Sequence, residues 1–184
     1  MGWNVDFAHS QIQATVRHMM ISNVKGHFDK FKVDSQINEE HPEESQVDVQ
    51  IEAASVNTKM EQRDAHLRSA DFLDVEKYPY ITFKTTRNQI IDDKHGKMTG
   101  DLTIKGVKQP VVLDVEYQGQ SKSPWGTINA GFTAHAKLNR KDWGLNWNAV
   151  LETGGWLVGD DVKIEIDIEF TKVPEPVRHE AVPA

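Results

Sequence analysis

Strict two-residue alternation of apolar and polar side chains dominates this sequence. Between 162 and 170, apolar residues occupy every even position and charged residues occupy the odd positions. A β-strand points successive side chains to opposite faces, so this segment would have one apolar and one polar face. The pattern predicts an all-β protein built from an antiparallel sheet with one solvated face. The same period recurs at 12–18, 47–53, 81–83, 102–104, 111–117 and 128–138.

A sheet of about eight such strands must cover its apolar face, either by folding over as a sandwich or by closing into a barrel. The predicted inner face carries many small residues. Large side chains on neighbouring strands could fill the space beside them, or the space could hold a ligand. The alternation alone leaves both interpretations open. The small residues are Ala14, Ala53, Ala130, Ala134 and Ala136.

One segment departs from the strand pattern. From Met60 to Asp74 there is no Gly or Pro and the apolar spacing is closer to helical, which predicts an α-helix at one barrel end. Asn57 or Thr58 could cap it, and Glu61 stands at the capping-box distance from Thr58. The Tyr78-Pro79 pair ends any helix before the next strand.

The densest polar cluster lies on that predicted helix. Asp64 and Arg68 have the i, i+4 spacing of a surface ion pair. The alternative is an electropositive rim of Arg63, His66 and Arg68 that holds an anionic head group such as a phosphate. His18 shares the apolar face of its strand, so we expect it either inside a hydrogen-bonded core or at the polar end of a pocket.

Composition and motif spacing argue against several classes. The net charge of −7 opposes nucleic acid or an anionic membrane as the main partner. The chain has no cysteine, and its eight histidines show neither H-x-H nor H-E-x-x-H spacing, so no metal site is predicted. No serine elbow, Rossmann or P-loop pattern occurs, and no segment is long and apolar enough for a membrane span. These observations predict a protein that is not an enzyme.

The aromatic residues of the C-terminal half suggest how the barrel ends are closed. The segment 139–145 has the composition of a strand end that runs into a turn. We expect Trp143 and Trp147 to pack over an open end, and Trp125 and Trp156 to do the same.

The chain is predicted to form one domain over 1–173, followed by a flexible Pro-containing tail over 174–184. The first residues lack the basic and then apolar regions of a signal peptide. We therefore expect a cytoplasmic protein, or a periplasmic or secreted one if an upstream signal has been removed.

Several motifs together make the sequence similar to the YceI-like family of polyisoprenoid-binding, lipocalin-like barrel proteins. The most specific are Arg63-Asp64-Ala65-His66-Leu67-Arg68-Ser69 and Leu102-Thr103-Ile104-Lys105-Gly106-Val107. The resemblance runs in family order over about 3–171. Further matching stretches are 5–6 and 9–10 leading to 16–19, 26–28 with 31, 56–58, 70–73, 78–79, 100–101, 108–111, 139–145 and 158–162.

The resemblance implies an extended eight-stranded antiparallel β-barrel with an apolar tunnel for an isoprenoid chain, either a polyprenyl phosphate or a quinone. It also implies a possible homodimer and no required cofactor other than the bound lipid. The polar mouth is expected at His18, Arg63, His66 and Arg68. The expected tunnel lining is Val16, Phe28, Phe31, Ile51, Ala53, Leu67, Phe72, Phe83, Leu102, Leu113, Phe132, Ala134 and Ile164.

Non-catalytic binding, transport or storage of such a lipid is therefore the predicted function. Two alternatives stay open. The first is an enzyme that acts on an isoprenoid substrate with His66 and Asp64 as acid and base. The second is a structural barrel whose own side chains fill its interior.

Overall fold

The computed structural model describes residues 2–172, which form one antiparallel sheet and one α-helix. The predicted tail over 174–184 lies outside the described residues. Eleven strands occur where about eight were expected. They are β1 Trp3–Val5, β2 Gln11–His18, β3 Ser22–Phe28, β4 Phe31–Gln36, β5 Gln46–Glu52, β6 Val56–Asn57, β7 Tyr80–Ile90, β8 His95–Ile104, β9 Val107–Lys122, β10 Ile128–Asn139 and β11 Val158–Lys172. β1 and β6 are very short, and β3 and β4 show no long apolar alternation in the sequence.

The sheet curls into a barrel. Its strand order is β4-β5-β7-β8-β9-β10-β11-β2-β3-β6, and β1 pairs with β11. β1 also contacts β4, the strand at one edge of the sheet. Because β1 is paired with β11 in the interior of the sheet, the β4 edge lies against the interior of the same sheet. Curling in this way removes the apolar face from water and covers an exposed strand edge. The predicted all-β antiparallel barrel is confirmed.

The pairing of β10 with β11 shows how alternation produces an inner and an outer wall. Ala134 pairs with Ile166 and Ala136 with Ile164, so small residues face large ones across the inner wall. His135 pairs with Glu165 on the outer wall. Because the period of a strand is two residues, this register keeps the alternating apolar side chains of both strands on the inner face.

The helix is shorter than predicted. α1 spans Glu61–Arg68, and turns rather than helix continue towards Pro79. The predicted capping box is wrong, since Met60 is the N-cap and makes no side-chain cap hydrogen bond. Instead, the backbone N–H and Oγ1 of Thr58 both donate to Oδ1 of Asp64, at 2.9 and 2.5 Å.

The predicted ion pair between Asp64 and Arg68 is also absent. Asp64 is buried under its hydrogen bonds to Thr58, and the Arg68 guanidinium donates to Glu61 at 2.6 Å. The Asp64 side chain thus fixes the chain before α1 to the first turn of the helix, and this anchor holds α1 at one end of the barrel.

Candidate functional site

A cavity of about 930 Å³ occupies the interior of the barrel. Its wall is made mainly of aliphatic and aromatic side chains from the inner faces of the strands, together with Leu67 of α1 and Phe72 after it. The lining reaches from His18 and Trp147 at the helix end to polar groups at the far end. The far-end groups include Glu39, Asn88, Lys94 and Gln120.

The cavity exists because the inner side chains are too small to meet across the axis. No large side chain among the described residues is fully buried, since those that point inwards border open space. Ala14, Ala130, Ala134 and Ala136 all line the cavity. Protein interiors are normally packed as densely as organic crystals, so a void of this size favours an occupant.

All but one of the predicted lining residues border the cavity. The exception is Ala53, which lies in a 3₁₀ turn immediately after β5 and packs in a solid cluster with Ile51 and Ile81. Its assignment to the tunnel is therefore wrong. The residues at the cavity wall are Val16, Phe28, Phe31, Ile51, Leu67, Phe72, Phe83, Leu102, Leu113, Phe132, Ala134 and Ile164.

Three of the four predicted mouth residues lie at the helix end of the cavity. His18, Arg63 and His66 border it, whereas Arg68 does not, because its guanidinium is held by Glu61. The assignment of Arg68 to the mouth is therefore wrong. Arg17, which was not among the predicted mouth residues, also borders the cavity.

Two of these groups are already engaged with the protein. Arg63 donates from Nε to Oγ1 of Thr58 at 2.8 Å and from Nη2 to the Thr58 carbonyl oxygen at 2.9 Å. The Nε2 atom of His66 lies 2.9 Å from Oδ2 of Asp71. His18 makes no side-chain hydrogen bond within the described chain, so its imidazole is available to a ligand.

Aromatic contacts close much of the helix end. The His66 ring packs edge-on against Phe72 and Trp147, with centroid distances of 5.1 and 4.6 Å. Trp143 is buried and donates from Nε1 to the Leu102 carbonyl oxygen at 3.0 Å. The expected packing of Trp143 and Trp147 over this end agrees with the structure. Trp125 and Trp156 are exposed, so that expectation is wrong for them.

Arg140 holds the closing segment in place, which the sequence analysis missed. Its buried guanidinium donates to the carbonyl oxygens of Leu145, Trp147 and Gly159 at 2.5, 2.9 and 2.9 Å. Burial lowers the pKa of Arg140, and the nearby Asp160 carboxylate partly offsets this effect. The sequence did single out the 139–145 motif that contains Arg140. The partners of Arg140 are backbone carbonyl oxygens, however, and no pattern of residue types identifies such partners.

Polar contacts gather at the far end of the cavity. Glu39 accepts hydrogen bonds from Nε1 of Trp3 at 3.3 Å and from Nζ of Lys172 at 2.7 Å. The hydrogen bond from Lys172 holds the pKa of Glu39 below its usual value. Asn88 donates to the Ser45 carbonyl oxygen at 2.6 Å. This end joins the N-terminal strand, the segment after β4 and the end of β11.

The proposed acid–base pair of the enzyme hypothesis is not assembled. Asp64 is buried and bonded to Thr58, and His66 bonds to Asp71 rather than to Asp64. A general base needs hydrogen-bond reach to its substrate, which the enclosed Asp64 carboxylate lacks.

A separate cluster lies on the outside of the barrel, where Asp6, His9 and Glu169 bring possible ligand atoms within 4.8 Å of one another. Asp6 accepts from Ala8 N–H and its second oxygen lies 2.8 Å from His9 Nδ1. Those contacts account for the cluster as a surface hydrogen-bond network. Sequence reasoning missed it because Glu169 is remote in the chain.

A family model for the YceI-like domain matches residues 3–170. The chain belongs to the YceI-like family. Within the described residues, no helix combines the length and hydropathy that a bilayer span needs.

Relatives and solved structures agree with this assignment. The UPF0312 protein SA2479 of Staphylococcus aureus (strain N315) is 39% identical over 170 residues, covering 90% of this chain and 95% of that protein. The crystal structure of Burkholderia cenocepacia BcnA matches with a TM-score of 0.79 at 21% identity, over 90% of this chain and 99% of that one. A polyisoprenoid binding domain from Saccharophagus degradans, implicated in plant cell wall breakdown, matches with a TM-score of 0.66 at 14% identity, over 94% and 98% of the two chains. At these identities the two structures support the barrel fold of the YceI-like family.

Proposed function

We propose that this YceI-like protein binds a long-chain isoprenoid lipid in the barrel cavity and carries or stores it without chemical change. The observation that carries the proposal is the cavity of about 930 Å³ with an apolar wall. Its volume lies near the upper end of the roughly 300–1,000 Å³ range of ligand pockets. The polyisoprenoid binding domain from Saccharophagus degradans, which has a similar fold, supports the same ligand class.

The energetics favour slow release of such a ligand. An isoprenoid chain of about 40 carbons would gain well over 20 kcal/mol gross at roughly 0.8 kcal/mol per buried methylene-sized unit. Ordering and immobilisation offset much of this gain, and non-covalent affinities saturate near about −18 to −21 kcal/mol. Even after that discount, the lipid would be held tightly.

The mouth suits a neutral head group better than a phosphate. Phosphate recognition typically uses free Arg or Lys donors. Here Arg63 is bonded to Thr58, and Arg68 points away from the cavity to Glu61. Arg17 also borders the cavity, but its guanidinium donates to the Met20 carbonyl oxygen in the β2–β3 turn. His18 supplies one free imidazole, which could donate to a carbonyl oxygen such as that of a quinone. We therefore favour an isoprenoid quinone over a polyprenyl phosphate.

Mass spectrometry of an organic extract of the purified full-length protein tests this proposal. We expect an isoprenoid lipid at about one molecule per chain, as a single cavity would hold. The delipidated protein should take up an added isoprenoid quinone. An extract without isoprenoid, together with failure to take up the quinone, would contradict the proposal.

The role of His18 has a matched control on the outer wall. His18→Ala should weaken quinone binding by about tenfold, the value of one lost hydrogen bond in an apolar site. His135→Ala should leave the affinity unchanged, because His135 is exposed and outside the cavity. Equal affinities for His18→Ala and the unmodified protein would remove His18 from the head-group site.

The same preparations separate a carrier from an enzyme. After incubation with a prenyl diphosphate, a carrier should return the substrate unchanged and release no phosphate. Phosphate release that His66→Ala abolishes would establish the enzyme hypothesis instead.

A further inference from the structure

Five large apolar side chains are exposed beside the helix-end opening of the cavity. We call this set the apolar rim, and Ile21 and Val150 within it are 77% and 71% exposed. Isolated apolar side chains are common on protein surfaces, but a contiguous group commonly marks an interaction site. The rim consists of Met19, Met20 and Ile21 in the β2–β3 turn, with Val150 and Trp156 in the segment before β11.

Backbone contacts hold the two parts of the rim together. The Met19 N–H donates to the Leu157 carbonyl oxygen at 2.9 Å, and Val150 pairs with Trp156 in an isolated bridge. Met20 packs its sulfur against Gly155, where a Cβ would lie only 2.2 Å away. Leu157 also lines the cavity, so the apolar surface continues from the interior to the outside of the barrel.

The turn that carries the rim has a backbone conformation that its residues rarely adopt. Met19 and Met20 have φ values of 49° and 63°, in the left-handed region, and Ile21 N–H donates to the His18 carbonyl oxygen. Turns with positive φ at both central positions strongly favour Asn-Gly. Backbone strain of this kind tends to persist where the side chains have a use. Here the conformation places two large apolar side chains at the tip.

The charges beside the rim differ from those of the whole molecule. Arg17 donates to the Met20 carbonyl oxygen at 3.1 Å and forms no ion pair with any described residue. Arg63 also borders this opening without a carboxylate partner in the described part of the chain. Glu152 is the one acid between Val150 and Trp156. A net charge of −7 would turn the rest of the surface away from an anionic membrane, while the two arginines favour contact at this end.

We infer that the apolar rim docks on the surface of a lipid bilayer and that the isoprenoid passes between bilayer and cavity at this contact. This inference rests on the proposed function. Apolar side chains would enter the head-group region while Arg17 meets anionic lipid head groups. The isoprenoid chain would then move along a continuous apolar surface through Leu157 without crossing bulk water.

Co-sedimentation of the full chain with vesicles of phosphatidylcholine and a minor fraction of phosphatidylglycerol tests the inference. Met19→Asn with Met20→Gly supplies the residues that the turn geometry favours, so the variant should fold while its vesicle affinity falls about tenfold or more. Ile21→Ser with Val150→Ser leaves that backbone unchanged and should give a similar loss. The matched control is Ile91→Ser with Trp125→Ser, two exposed residues at the far end, and it should bind like the unmodified protein.

Charge gives a second readout. Arg17→Glu should weaken binding to vesicles that contain phosphatidylglycerol and should change binding to pure phosphatidylcholine vesicles less. Equal losses on both vesicle types would remove Arg17 from the contact.

Three results would overturn the docking site. The first is equal vesicle binding by the rim variants and the unmodified protein, and the second is an equal loss in the far-end control. The third is a dimer that the rim variants convert to a monomer without any vesicle binding, which would make the rim an interface between two copies.

Extraction of bound lipid is a separate measurement, and it distinguishes failure of docking from failure of the proposed function. An isoprenoid-loaded protein that ignores vesicles would refute docking alone, whereas rim-dependent vesicle binding with no extractable isoprenoid would support docking and count against the proposed function.

Discussion

Ala53 and Ala134 are the same residue type in the same predicted apolar phase, yet only one of them borders the cavity. Ala53 is 1% exposed and lies in a packed corner with Ile12, Ile51 and Ile81, which line the cavity where Ala53 does not. Ala134 lies on the middle of β10, pairs with Ile166 and borders the cavity. The comparison teaches that alternation determines which way a side chain points, whereas the curvature of the sheet determines whether another side chain meets it there.

Two packed regions of the barrel support the open cavity between them. The corner around Ala53 joins β5, β7 and β2 by direct side-chain packing. At the helix end, Arg140 ties the segment after β10 to the start of β11 through backbone carbonyl groups. Because these regions are packed and hydrogen-bonded, the middle of the barrel can stay open without collapsing.

The largest effect is expected at the helix end, where one buried charge holds the segment after β10. Arg140→Met should lower the free energy of unfolding by about 3 kcal/mol, because several carbonyl groups lose a charged donor. Lys141→Met is the control, since exposed Lys141 contacts the same Asp160 and should cost no more than about 0.5 kcal/mol. Urea unfolding measures both. Similar losses in the two variants would show that Arg140 does not anchor this end.

The next effect concerns the packed corner. Ala53→Phe should cost about 2 kcal/mol in free energy of unfolding, because a large ring has no space among packed side chains. Urea unfolding of the delipidated protein checks this value. A variant as stable as the unmodified protein would mean that the corner contains unused space.

At the cavity wall, the same Ala→Phe substitution should have little effect on the free energy of unfolding. Ala134→Phe should change the free energy of unfolding of the delipidated protein by less than about 1 kcal/mol, since the ring enters open space. It should shorten the cavity and lower the amount of extractable lipid. Full lipid stoichiometry in this variant would remove Ala134 from the binding wall.

The smallest effect lies outside both regions. The hydrogen bond between Asp6 and His9 lowers the pKa of Asp6 and raises the pKa of His9. The Asp6 contribution to stability is present above its unfolded-state pKa and is lost as the pH falls through the folded value. The His9 contribution is present below its unfolded-state pKa and is lost as the pH rises through the folded value. The Asp6–His9 pair therefore stabilises the fold at pH values between the pKa of Asp6 and the pKa of His9. This stabilisation is lost in more acidic and in more basic solution.

Titration of His9 by NMR tests this pair. Asp6→Asn should bring the His9 pKa most of the way back to its ordinary value, and Glu169→Gln should lower it less, because the Asp6 hydrogen bond is the larger cause. An unchanged His9 pKa in Asp6→Asn would contradict the assignment.

The strongly alternating strands and most of the cavity wall could be predicted from the sequence. β3 and β4 were missed because Gly26 and Ser35 interrupt their inner faces. The helix end was harder to predict. Arg63, Asp64 and Arg68 were recognised as a cluster, but their partners are Thr58 and Glu61, and pairing preferences between charged residues do not identify a threonine as the main contact.

Because the side chains of the barrel leave its interior unfilled, the stability of the fold depends on the supply of the ligand that fills it. A ligand that binds only the folded chain shifts the unfolding equilibrium by mass action, by about 2.7 kcal/mol at 100 times its dissociation constant. Under the proposed function, newly made chains in a cell short of the lipid would be the least stable and the first to reach the proteases. The abundance of this protein would then rise and fall with the lipid itself, with no regulator other than the empty space in the barrel.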